Sequence, residues 1–175
     1  MLYVVMVATM KRLFMAKATF AAGCYWGVEA EFRQLSGVTA TRVGFIGGAS
    51  AAPTYREVCS GGTGHAEAVE VDFNPNAVSY DQLLEQFWGM HDPTTSDRQG
   101  WDVGNQYRSA IFFHSQEQET QARASCAEQG ASRRFRDPIV TEIAAATVFT
   151  PAHEDHQRYL EKRGAVPRTN LSAAS

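Results

Sequence analysis

A chain of 175 residues with 44% hydrophobic and 20% charged residues has the length of one domain and enough apolar material to bury a core. That combination excludes a disulfide-stapled miniprotein and a globally disordered chain. A net charge of −3 supplies no basic field, so nucleic-acid binding has no electrostatic basis.

In chain order, Met1 to Met10 is apolar, but the first basic residue, Lys11, stands behind that run and not before it as in a secretory signal. The run is also about half the length that spans a bilayer. Residues 1–16 are read as an extra strand or a disordered leader, with Met15 as an alternative start. The expected protein is cytoplasmic, without membrane association, and keeps its thiols reduced.

Lys17 to Ala22 predicts a strand that turns at Gly23 into a helix from about Cys24 to Leu35, closed by Ser36-Gly37. Val38 to Ile46, rich in β-branched residues, predicts a second strand. Gly47 to Gly64 reads as one long glycine-rich loop, and loops of that length in compact domains are commonly functional. Ala66 to Phe73 alternates as a strand, with Glu67, Val69, Val71 and Phe73 on one side.

Ser79 and Gln82 stand in capping-box order before a helix whose buried stripe is Leu83, Leu84, Phe87 and Trp88. His91 to Gln106 is irregular, and Arg108 to His114 predicts a strand. Ser115 and Gln118 repeat the capping pattern before a polar helix that reaches Gly130. Ile139 to Phe149 predicts a further strand, and Thr150-Pro151 starts a last helix ending near Gly164. Residues 17–164 are expected to form a single domain and 165–175 a flexible tail. The order strand, helix, strand, strand, helix, strand predicts an α+β fold: a ferredoxin-like, split β-α-β two-layer sandwich with an extra C-terminal strand and helices and long loops.

Three cysteines, Cys24, Cys59 and Cys126, form no C-x-x-C pair, which argues against a disulfide framework and a thiolate zinc site. Cys24 lies where a strand turns into a helix. The helix N-terminus should stabilise its anion and draw its pKa from about 8.5 toward neutrality, as suits a nucleophile. Glu67, a carboxyl on an apolar strand face, should have its pKa raised and act as a general acid. No histidine has metal-ligand spacing to a cysteine, and His153 and His156 at i, i+3 read as a solvated helix face. Tyr55 and Tyr107 sit in the two irregular stretches as neutral hydrogen-bond donors or packing residues.

The words GCYWGVEAEF (23–32), VGFIGG (43–48), PTYREVCSGGTGHAEAVEV (53–71), HDPT (91–94), QGWDVGNQYRSAIFF (99–113), TEI (141–143) and HQRYL (156–160) give the chain its family likeness. In order and separation they resemble peptide methionine sulfoxide reductase A over roughly Ala18 to Lys162. The resemblance implies reduction of methionine S-sulfoxide, free or in proteins, as antioxidant repair. It implies no metal or organic cofactor. Cys24 is the nucleophile it implies, and Glu67 is the acid. Tyr55 and Tyr107 are the phenols that hold the sulfoxide oxygen, Asp102 is a further substrate-binding acid, and Tyr25 with Trp26 makes the aromatic pocket for the methyl group.

This chain departs from the family pattern at Tyr25, where Phe is usual, at Asn105, where Thr is usual, and at 152–157, where an aromatic is lost; support of the pocket by the last helix is thereby put in question. Many members resolve the sulfenic acid with a C-terminal cysteine, and Gly164 to Ser175 contains none. The expected cycle uses one cysteine, restored by an external thiol, either glutathione with glutaredoxin or thioredoxin directly. Resolution by Cys59 is the alternative, with Cys126 a third thiol to be placed. A monomer is expected. The competing classes are a Cys-dependent acyl hydrolase using Cys24 with His65 or His156, and a ferredoxin-like binding module whose aromatics line a ligand groove.

Overall fold

The computed structural model describes residues 15–165; residues 1–14 of the proposed leader and the tail beyond 165 lie outside the described residues. Strands β1 (Ala16–Ala22), β2 (Val38–Ile46), β3 (Ala66–Phe73) and β6 (Ser109–Phe113) form the centre of a sheet. Their order is β6-β1-β3-β2, with β7 (Glu142–Ala145) beyond β6 and β8 (Thr150–Pro151) beyond β2. β3 runs antiparallel to both β1 and β2, and β1 is antiparallel to β6. Helix α1 (Tyr25–Arg33) connects β1 to β2 across β3, and α3 (Tyr80–Met90) leads from β3 toward β6 on the far side of β1. These two crossovers are the split β-α-β topology. β7 adds to β6 in parallel, and α4 (Gln116–Ala131) makes that connection.

The two faces of the sheet have different cores. Phe20, Phe32, Phe45, Val69, Val71, Leu83, Leu84, Phe87 and Ile111 pack on the helical side. Ala21, Ile46, Ala66, Ala68, Ala110 and Phe112 line the other side under Ala146 and Phe149. Period-two alternation in β3 sends Glu67 to the helical side, in line with Val69, Val71 and Phe73. Phe45 of β2 is its direct cross-strand neighbour.

Several sequence expectations need correction. The loop 47–64 contains a five-residue helix, α2 (Tyr55–Cys59), started by a Thr54/Glu57 capping box. Ser79/Gln82 makes the reciprocal box, but Gln118 does not: its amide oxygen accepts from the His114 N–H, and only the Ser115 hydroxyl caps α4. The predicted strand 139–149 shrinks to β7. Thr150-Pro151 starts no helix. It is β8, paired with Gly44 and Phe45 of β2, and a 3₁₀ turn (Glu154–His156) and a single helical turn, α5 (Tyr159–Lys162), follow it. The leader reading overlaps the sheet by one residue, since Ala16 already belongs to β1.

Candidate active site

The nucleophile candidate is placed by a sharp exit from β1. Gly23 adopts φ +94, and a Cβ there would stand 2.7 and 2.8 Å from Gln99 carbons, so only glycine fits both the backbone and the neighbour. The next residue, Cys24, is the N-cap of α1 and is partly buried. Gly23→Ala is expected to lower stability by about 1–3 kcal/mol through strain and overpacking. It is also expected to reduce activity by displacing Cys24 relative to the 99–102 turn. Urea unfolding and steady-state kinetics on the same preparation check both effects.

The pKa of Cys24 goes the opposite way from the helix-terminus expectation. Burial dominates and pushes the thiol up to about 11. The Trp26 and Gly27 N–H groups of the first helical turn lower it as expected, but the negative charges of Glu67 and Asp102 add to the rise. Cys24 at rest is therefore a thiol.

Glu67 is 2% exposed. Burial pushes its pKa up to about 7, against one hydrogen bond from the Tyr25 N–H to its Oε2 at 3.2 Å and with a further rise from Asp102. The phenols belong to the same field. Tyr107, ending a 3₁₀ turn (Asn105–Tyr107), is pushed up to about 12 by burial and then by the charges of Glu67 and Asp102, with Cys59 and Cys24 adding smaller contributions. Tyr55, the first residue of α2, is raised most by its side-chain hydrogen bond with Cys59, then by burial and the charges of Cys59 and Glu67. Both phenols stay protonated and able to donate. Cys24, Glu67, Tyr55, Tyr107 and Asp102 thus occupy one electrostatic neighbourhood, assembled from β1, β3, α2, the 105–107 turn and the short strand β5 (Asp102–Val103).

Tyr25 is buried, with its ring 6.0 Å from that of Phe45, and its hydroxyl is 2.7 Å from His156 Nδ1. The extra oxygen of this tyrosine therefore has a partner. Trp26 stacks on Tyr159 at 3.8 Å, and His156 lies 5.5 Å from Trp26 and 4.8 Å from Tyr55.

His156 is thus part of the aromatic wall and not a solvated face, and the C-terminal segment does support the pocket. That segment is clasped in several places. Gln157 Oε1 accepts from the Val43 N–H at 2.8 Å, Glu29 Oε2 accepts from the Arg158 N–H at 2.7 Å, and Arg33 pairs with Glu161 at 2.8 Å. Sequence reading missed His156, Gln157, Tyr159 and Glu29 as contributors. The HQRYL word was the signal for the first three, and the GCYWGVEAEF word for Glu29.

Cys59 is an exposed free thiol beside Tyr55, and Cys126 is a free thiol on α4 packed against the helical-side core. Among the described residues no group of three His, Cys, Asp or Glu side chains is arranged to hold a metal, and no helix is long and apolar enough to cross a membrane. A groove of about 460 Å³ lies behind Trp26, lined by Glu29, Arg33, Arg158 and Leu160; the Cys24 cluster shares only Trp26 with it.

The chain is similar to known proteins over most of its length. The family model for peptide methionine sulfoxide reductase matches residues 16–174. A curated relative from Geobacter metallireducens, peptide methionine sulfoxide reductase MsrA, is 61% identical over 148 residues, covering 85% of this chain and 91% of that protein. The crystal structure of Mxr1 from Saccharomyces cerevisiae in reduced form matches with TM-score 0.80 at 34% identity, over 86% of both chains. Mxr1 in complex with Trx2 matches with TM-score 0.59 at 24% identity, over 83% of this chain and 84% of that one, which supports the fold alone. With its fold, its Cys24 cluster and these matches, the chain belongs to the peptide methionine sulfoxide reductase family of the MsrA type.

Proposed function

We infer that this protein reduces methionine S-sulfoxide, free and within proteins, to methionine as a repair oxidoreductase, with Cys24 as nucleophile and Glu67 as proton relay. The supporting observation is the shared field of a buried thiol and a buried carboxyl whose pKa lies near 7. Moving the thiol proton from Cys24 to Glu67 creates nucleophile and acid together, with no change of net charge in a site where burial penalises charge. The Trp26 and Gly27 N–H groups then hold the thiolate.

Glu67 passes the proton to the sulfoxide oxygen as Cys24 sulfur attacks. Tyr55 and Tyr107 donate to that oxygen while negative charge builds on it, a contact worth about 3 kcal/mol in other oxyanion sites. Tyr25 and Trp26 receive the methyl group. Net oxygen transfer yields methionine and a Cys24 sulfenic acid. A first external thiol condenses with the sulfenic acid, forming a mixed disulfide and releasing water; a second thiol attacks that disulfide and restores Cys24.

The reductant in this reading is thioredoxin, or glutathione with glutaredoxin, and the protein needs no metal or organic cofactor. The support for thioredoxin is that Mxr1, whose reduced form is 34% identical to this chain, has also been solved in complex with Trx2. The working form is a monomeric catalytic domain in a reducing, cytoplasmic compartment.

Turnover of N-acetylmethionine S-sulfoxide with dithiothreitol, and none of the R epimer, is the expected result; inactivity on both epimers overturns the assignment. After one equivalent of substrate without reductant, mass spectrometry is expected to find oxygen on Cys24. A Cys24–Cys59 disulfide would replace the one-cysteine cycle by internal resolution.

A further inference from the structure

Trp101 is 96% exposed, more than any other large hydrophobic side chain among the described residues. It occupies the second central position of a two-residue hairpin turn between β4 (Arg98–Gln99) and β5, and Gly100 takes the first with φ +59. That pattern is a tight turn made for holding two short strands together. The tip is anchored from several sides. Gln99 Nε2 donates to the Asp92 carbonyl at 2.8 Å, Thr95 Oγ1 donates to the Arg98 carbonyl at 2.7 Å, and the Gly104 N–H donates to the Asp97 carbonyl at 2.8 Å. An indole on a fixed support pays little ordering entropy when it binds.

The hairpin is also part of the site. Gln99 packs on Gly23, the residue before Cys24, and Asp102, paired across from Gln99, carries a charge that raises the Cys24 thiol. Trp101 is therefore one residue from a group that acts on the nucleophile, yet it faces water.

We propose that Trp101 is a specificity-determining contact for an apolar residue flanking the oxidised methionine in an unfolded polypeptide, so that it favours peptide substrates over the free amino acid. The proposal rests on the reductase reading above. A methionine sulfoxide seated at Cys24 must leave its own main chain at the mouth of the site. Extended chain advances about 3.3 Å per residue, so the next one or two side chains come within reach of a hairpin beside Gly23. Buried indoles are among the strongest single contacts at interfaces.

The test compares wild type with Trp101→Ala, using dithiothreitol throughout, on N-acetylmethionine S-sulfoxide and on two hexapeptides in which Leu or Ser flanks the sulfoxide. The expected result is about a tenfold loss of kcat/KM on the Leu-flanked peptide, carried by KM, with no change on N-acetylmethionine sulfoxide. An equal loss on all three substrates, or no loss on any, overturns the proposal. So does a defect that appears only when thioredoxin replaces dithiothreitol, which assigns the indole to the reductant, or a Trp101-dependent dimer on size exclusion. Wild-type inactivity on N-acetylmethionine sulfoxide defeats the reductase reading instead. Calorimetry of the Leu-flanked peptide in a Cys24→Ser background, with and without Trp101, still reads the contact in that event.

Discussion

Cys24→Ser is expected to abolish sulfoxide reduction, with a loss of at least about 10³-fold in kcat and no loss of folded protein. A serine hydroxyl is a far weaker nucleophile than a thiolate and has no comparable route to a sulfenic acid. Cys24 is an N-cap whose side chain makes no capping hydrogen bond, so the substitution leaves α1 intact. Circular dichroism and kinetics with dithiothreitol read the two halves of this expectation. Residual turnover within tenfold of wild type would move the nucleophile to Cys59, the other thiol that acts on Tyr107.

The second large effect is on Glu67, where activity and stability should move in opposite directions. A productive Cys24–Glu67 pair holds one proton between them. With the carboxyl near 7 and the thiol near 11, kcat/KM is expected to rise through pH 7 and stay level until the thiol titrates. A thiol drawn down to neutrality, as the helix terminus alone suggests, would make the rate fall above pH 7 instead. Glu67→Gln is expected to lose about 10²- to 10⁴-fold at pH 8 and to lose the inflection near 7. An unchanged profile would remove Glu67 from the proton path.

Stability follows a separate sign. A carboxyl raised from 4.5 to about 7 by burial gives stability that is fully present below its ordinary value and is lost as pH climbs through 7. The Gln variant keeps an acceptor for the Tyr25 N–H without the buried charge. It should therefore exceed wild type in stability by up to about 3 kcal/mol at pH 8, and by little at pH 4. Urea unfolding at both values is the measurement.

What the sequence discloses depends on how regular the local pattern is. β2 was legible to the residue from its run of β-branched residues, and β3 from its period-two alternation. Glu67 was legible for the same reason, since one carboxyl breaks an apolar row. α2 was hidden because its five residues lie among glycines, although its Thr54/Glu57 box was in plain view. The segment after β7 was misread because it is held by individual side chains, Glu29, Gln157 and Tyr25, and not by a periodic apolar face. The direction of the Cys24 shift was missed on physical grounds. Sequence displays the helix terminus that lowers it, but the burial that outweighs that terminus comes from packing.

The contact between Tyr25 and His156 spans 131 positions of the chain. During synthesis, Cys24 emerges early, and the imidazole and the Tyr159 ring that flank Tyr25 and Trp26 emerge much later. A nascent chain stopped after β7 lacks β8 but has the central strands, the thiol and the carboxyl, while half of its aromatic wall is still to be made. The wall around Tyr25 and Trp26 is therefore completed only after the central sheet and its thiol have been made.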